Sequence, residues 1–385
     1  MMTPIDLRGD RAGHMLVLNS RLPSFGSRHA TFFDETALWG RLPTTVTSAE
    51  PLCQGTNPGE VLAAIRARAE RRRAGDRGPD GHRIGLVIEG GGLRGISTAG
   101  GVVALEHLGF TDLFDDVYGT SAGAMNGAYF LAGQAAFGLR IYSEDMVRRE
   151  IVNPWRFWRI LDVDRLFRRA IVGDKALDLD AVLASRSRLH ITMIDAGAGT
   201  RMQVESSTLT SPAELLQALK AATAIPVLYN RRVDVGGRLC IDAGILSPVP
   251  IEEALADRCT AVLVLLSRPA DFRRPAAGRL TRWFFNRLCA RGSLPLARAY
   301  ADQYLLDARL RDLALGRFET PPPAVGSATI CTICTDRADT VERLTTDPRR
   351  LQAAAAAFGR KTLRVLGAGD AETWTPASPA TRRIE

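Results

Sequence analysis

Short apolar runs alternate with helix-like stripes through the middle of the chain. Ile84-Gly-Leu-Val-Ile88 predicts a buried strand, and Ile96 to Leu108, behind a run of glycines, predicts a helix. Asp115 to Gly119 predicts a second strand, and Ala122 to Ala132 a helix of small residues. Leu189–Ile194 and Ala261–Leu266 predict two more strands, with a helix over Pro212–Ala222 between them. Ala328 to Thr335 reads as a further strand, and Ala299–Leu315 and Arg349–Val365 as C-terminal helices. Strands apolar on both sides that alternate with helices imply an α/β layered fold with a largely parallel sheet.

The ends of the chain differ. Ser20 to Ser48 is rich in Ser, Thr, Pro and Gly and reads as irregular, Pro58–Arg73 reads as a helix, and Arg71–Arg83 as a linker. Residues 1–83 thus form an N-terminal extension and linker, 269–367 a mainly helical part, and 368–385 a Pro-, Thr- and Ala-rich tail expected to fray.

Composition narrows the classes. With 46% apolar and 24% charged residues in 385, the chain is globular. Its longest apolar runs fall far short of the roughly 20 residues a membrane-spanning helix needs. The first 19 residues carry no apolar core followed by a small-residue cleavage site, so a cytoplasmic chain is expected. The net charge is +8, and only Lys175, Lys220 and Lys361 of the 50 cations are lysine. Such an arginine bias reflects base composition rather than a nucleic-acid site. It still permits peripheral contact with an anionic surface at the inner face of the membrane. The six cysteines show no dense spacing. Cys331 and Cys334 lie three apart on a strand, point to opposite faces, and have no second pair or histidine to complete a zinc site.

Gly90-Gly-Gly-Leu-Arg-Gly95 lies between a strand and a helix. A dinucleotide loop would need an acid at the carboxyl end of the next strand. Asp115 and Asp116 have the spacing but precede the strand. A structural turn remains open, as does an anion or oxyanion cradle, in which backbone N–H groups converge at a helix N-terminus. On the cradle reading, a Cβ at Gly92 would stand where the oxygen must approach.

Gly119-Thr-Ser-Ala-Gly123 is G-x-S-x-G between a strand and a helix, the setting of a nucleophile elbow. A serine needs a base. Only His190 follows Ser121 in the chain, and it opens its strand, at the end away from the elbow. The other candidate is Asp242, in Cys240-Ile-Asp-Ala-Gly244, which also reads as a turn aspartate. Partial burial would raise a carboxylate towards usefulness as a base.

These three elements, in this order, resemble the patatin-like phospholipases, with a G-G-G-x-R-G loop, a G-x-S-x-G elbow and a D-G-G or D-G-A motif. The resemblance runs from about Ile84 to Arg268, which makes 84–268 the expected catalytic domain. It implies a three-layer α/β/α fold and serine-dependent hydrolysis of lipid acyl esters without metal or cofactor. Ser121 would be the nucleophile and Asp242 its base. The oxyanion hole would lie in Gly90, Gly91, Gly92, Arg94 and Gly95 with Ala122, and Gly119, Gly123 and Gly244 would shape the turns. The chain departs at Ala243, where the family has glycine. The alternative is a catalytically silent patatin-like scaffold binding a lipid or protein. Pro154–Leu161 and Leu280–Phe285 mix rings with arginines, a composition suited to a lipid interface, though core or lid packing is the plainer expectation.

Overall fold

The computed structural model describes residues 52–367, apart from 154, 157–158, 227, 230 and 291–292. Expectations for residues 1–51 and for the tail at 368–385 lie outside the described residues.

The strands are β1 Ile84–Ile88, β2 Asp116–Thr120, β3 Arg188–Asp195, β4 Thr200–Glu205, β5 Val233–Val235, β6 Arg238–Asp242, β7 Ala261–Leu266 and β8 Thr329–Cys334. They form one sheet in the order β5-β6-β3-β2-β1-β7-β8, with β4 on β3. The run from β3 to β8 is parallel, and β4, β5 and β6 pair antiparallel. The principal helices are α1 Pro58–Arg73, α2 Ile96–His107, α3 Ala122–Leu131, α4 Pro212–Ala222, α5 Ile251–Ala256, α6 Arg279–Phe285, α7 Leu294–Ala314 and α8 Pro348–Val365.

Every residue of β1, β2 and β7 is buried, because helices cover both faces. On one face Val87, Tyr118, Val262 and Val264 pack with α5 and α7 through Ile251, Leu255, Leu310 and Leu313. On the other, α2, α3 and α8 close down at glycines. A Cβ at Gly127 would meet Val117 and Leu189 at 3.0 Å, and one at Gly101 would meet Phe358 at 2.8 Å. This is the expected three-layer α/β/α arrangement.

The register of β3 decides where the site forms. One edge pairs with β4 over 190–195. The other pairs first with β2, up to Thr120 opposite Thr192, and then with β6, where Asp242 stands opposite Met193. Strand β6 therefore occupies the line β2 would follow if it did not turn away at Ser121. The turn places serine and aspartate next to each other from strands more than a hundred residues apart.

Two expectations need correction. The helix expected from Ala299 begins at Leu294, because Ser293 accepts from the Leu296 N–H at 3.4 Å and Pro295 sits in the first turn, where its missing N–H costs nothing. The packing expected for Leu280–Phe285 fails for all but Phe285, which stacks on Tyr300 at 3.8 Å. Leu280, Trp283 and Phe284 are 68%, 58% and 46% exposed.

Candidate active site

Ser121 follows β2 and caps α3 with φ 57° and ψ −125°. A residue that carries a Cβ holds such an angle only where its surroundings enforce it. Here the flanking glycines allow it. A Cβ at Gly119 would lie 2.5 Å from the Ala124 backbone, and one at Gly123 only 2.2 Å from the Ile88 carbonyl oxygen. The elbow is thus wedged between β1 and its own helix.

The glycine loop crosses beside it. A Cβ at Gly90 would strike the Thr120 carbonyl oxygen at 2.4 Å, and one at Gly95 the Ala122 methyl at 2.6 Å. Residues Gly92–Gly95 form one 3₁₀ turn that runs straight into α2. Among the described residues the backbone N–H groups of Gly91, Gly92 and Ala122 have no backbone partner, as expected where helices begin. The Leu93 N–H is taken, donating to the Arg343 carbonyl at 3.1 Å. Asn126 Nδ2 donates to the Gly95 carbonyl at 2.9 Å while its Oδ1 accepts from the Tyr142 hydroxyl, tying loop to elbow helix.

Two details differ from the sequence reading. The Arg94 side chain does not enter the hole. It is buried under Gly91, and its Nε donates to Ser267 Oγ at 3.0 Å. The Ser267 N–H donates to Glu89 at 2.6 Å and its hydroxyl faces the Gly90 carbonyl at 3.2 Å, so Arg94 braces the loop from beneath. Gly92 has φ +61°, and a Cβ there would meet Arg343 Cγ at 2.9 Å rather than an incoming oxygen.

Asp242 ends β6 and is 4% exposed. Its Oδ1 accepts from the Gly244 N–H at 2.6 Å, the Asx turn foreseen for it, which aims the carboxyl instead of excluding a further role. Its Oδ2 is buried without a hydrogen-bond partner among the described residues. Burial raises the carboxyl above its usual range, against the Ser121 hydroxyl, the Gly244 N–H and the charge of Arg343, which lower it. The hydroxyl thus stands beside the carboxyl, short of a full hydrogen bond, a contact that commonly tightens only with substrate. Ala243, the departure from the family pattern, is fully buried and does not disturb this turn.

His190 lies elsewhere. Its Nε2 meets Asp116 Oδ1 at 2.8 Å, and its ring stacks on Tyr118 at 4.3 Å. It pairs in register with Tyr118, three residues before Ser121 and so roughly 10 Å away along the strands. Asp115 and Asp116 sit at the same amino end, held by Arg68, Arg83 and Arg188, away from the glycine loop.

Ser121, Ala122 and Gly92 open on an apolar pocket. Met125, Ile141, Met146, Leu161, Leu166 and Phe167 are among its walls, and among the described residues no charged side chain lines it. The sequence reading missed this pocket because its far wall comes from irregular helical turns over 141–174, which follow no simple period.

Residues 86–255 match the family model for patatin-like phospholipase. These residues form a patatin-like phospholipase domain. The family is generally one of lipid acyl hydrolases. The chain is 30% identical to the uncharacterized protein YjjU of Escherichia coli over 52% of its length and 57% of that protein. It is 28% identical to an uncharacterized NTE family protein of Mycobacterium tuberculosis, over 60% of this chain and 62% of the relative. It thus spans about six tenths of the curated relatives it matches. A solved structure, VipD from Legionella pneumophila, aligns with a TM-score of 0.43 and 14% identity over 75% of this chain and 67% of that one. The patatin-like match ends at 255, yet Ser267, Arg311 and Arg343 reach the loop from beyond it. Nothing in the sequence marks Arg343, one arginine among many in an irregular stretch.

Proposed function

We propose that the protein is a serine-dependent lipid acyl hydrolase working through a Ser121–Asp242 dyad. The observation that carries this reading is the juxtaposition of a strained serine, a buried carboxyl with one unpaired oxygen, and an uncharged pocket opening at that serine. Asp242 Oδ2 accepts the Ser121 proton as Oγ attacks the ester carbonyl. The oxyanion forms against the N–H groups of Gly91, Gly92 and Ala122. Preorganised donors of this kind contribute roughly 10²–10³ each in turnover. Asp242 returns the proton to the departing alcohol, then takes one from the water that attacks the acyl-enzyme and passes it to Ser121 Oγ as the fatty acid leaves. The acyl chain occupies the apolar pocket. No step calls for a metal or cofactor.

The exposed Leu280, Trp283 and Phe284 of α6, with Arg279 and Arg282 beside them, give this hydrolase a surface for peripheral contact with anionic lipid. No helix among the described residues is long and apolar enough to cross a membrane.

A fluorophosphonate probe tests the nucleophile. It should label the wild type at Ser121, and hydrolysis of a panel of acyl esters should disappear in Ser121→Ala. Unchanged labelling of that variant would transfer the role to another residue.

A further inference from the structure

Beside the glycine loop, opposite the apolar pocket, lies an excess of buried positive charge. Arg94, Arg268, Arg274 and Arg311 are largely buried there, and Arg343 is half-buried. The buried carboxylates among them are Glu89, Asp307 and, beside Arg343, Asp242. Arg274 is satisfied, bonding Asp307 Oδ1 at 2.9 and 3.0 Å and Gln303 at 3.2 Å. Arg311 reaches Glu89 at 3.4 Å and the Pro269 carbonyl at 2.6 Å. Arg268 is less well served. It is 8% exposed, its Nη1 has no hydrogen-bond partner among the described residues, and its ion pair with Asp307 is long at 3.7 Å. The guanidinium of Arg343 forms no ion pair or side-chain hydrogen bond among the described residues. Its backbone is nonetheless fixed on the loop by the Leu93 N–H, and its stem lies against Gly92.

The charges act on one another. Burial and then the neighbouring guanidinium groups push Arg94 down to about 9 and Arg268 to about 10. Arg343 is lowered too, by burial and by Arg274, with the charge of Asp242 opposing. Uncompensated buried charge is costly unless something pairs with it.

Gly92 divides the site. On one side it lines the apolar pocket with Ser121; on the other it touches Arg343. With the acyl chain in the pocket and the ester carbonyl at Ser121, the alcohol half of the substrate falls on the Arg343 side. We propose that Arg343, backed by Arg268, is the specificity-determining residue that binds a phosphate group on the alcohol half of the ester. This rests on the dyad reading for its orientation. A guanidinium matches a phosphate with paired charge-assisted hydrogen bonds, which a neutral glyceride cannot offer. The segment that supplies it lies outside the patatin-like match, so the recognition belongs to this chain's C-terminal part.

The test compares a monoacyl glycerophosphate with the monoacylglycerol of the same chain, below their micellar concentrations. The kcat/KM ratio of phosphate ester to neutral ester should fall at least tenfold in Arg343→Gln and recover in part in Arg343→Lys. Calorimetry on Ser121→Ala gives a second readout that needs no turnover. This variant should bind the phosphate lipid more tightly than the neutral one, and Ser121→Ala/Arg343→Gln should lose that difference. Binding that depends on Arg343 in a protein without hydrolytic activity would sustain the anion site while sinking the dyad. An unchanged ratio and unchanged binding would overturn the proposal. So would an equal loss on both esters, which would make Arg343 a support for the loop. Inorganic phosphate that binds through Arg343 and inhibits both esters alike, with no lipid preference, would mark a free-phosphate site and also overturn it.

Discussion

Asp242 is buried more completely than a carboxylate tolerates without compensation, and only one of its oxygens has a hydrogen bond. Its pKa is raised in the folded protein. A carboxyl raised on folding binds its proton more tightly in the native state. Stability therefore falls as pH rises from the ordinary carboxylate range through the native pKa, and the cost is fully present at neutral pH. Asp242→Asn keeps the shape and can still accept from Gly244. It should melt at a higher temperature than the wild type at pH 7, with the gap closing as pH drops below the ordinary aspartate range. Turnover in the same variant should fall by roughly 10²–10⁴. In the wild type, kcat/KM should decline on acidification through the native pKa. A variant that is less stable at pH 7 and fully active would show that the carboxyl is a structural turn residue. Ser121 was legible in the sequence because its motif is local. Asp242 was legible as a candidate only, since its partner is set by the strand register.

At the scale of elements, β1 and β7 begin where the hydrophobic pattern starts them, because each is an unbroken apolar run, while α3 starts directly after the Ser121 turn and α4 at Pro212 behind its Ser211 cap. Strand β4, Thr-Arg-Met-Gln-Val-Glu, was not foreseen. Its half-exposed residues never form an apolar run, and pairing with β3 makes it a strand. The edge of β3 shared by β2 and β6 was equally hidden, since no periodicity records which strand continues another's line. Helix α6 shows the reverse case: its rings were legible, their exposure was not. Burying each such side chain in a headgroup layer contributes on the order of 1.5–3 kcal/mol when complete. Even partial loss from Leu280→Ser/Trp283→Ser should weaken binding to anionic phosphatidylglycerol vesicles at least about tenfold. Melting should shift little, as these side chains carry no core packing. Vesicle binding that survives the double change would place the contact on another surface.

At the scale of the molecule, the expected catalytic domain at 84–268 does not close its own core. Strand β8 pairs with β7 along six residues and covers what would be an apolar sheet edge. Helix α7 buries Leu310 and Leu313 on one face of the sheet, and α8 lies on α2 so closely that a Cβ at Gly100 would meet the Ala355 carbonyl at 2.1 Å. The brace of the glycine loop runs through Arg311, and the loop's cover through Arg343. With α1, whose Val61 and Ile65 are fully buried, and Gln54 paired to Thr332, we therefore regard 52–367 as one folding unit in which the C-terminal part completes the site. A fragment ending at 268 should be insoluble, or collapsed without a cooperative thermal transition. In the full chain, Phe358→Ala should cost about 3–5 kcal/mol, the usual range for emptying a buried aromatic site. Phe358 touches α2 and not Ser121, so a separable C-terminal module would let that variant lose one transition and keep its fluorophosphonate labelling at the original temperature. A single unit predicts that circular dichroism and labelling at Ser121 are lost together, at one lowered midpoint. Two separated midpoints would restore the boundary at 268 as a true domain border.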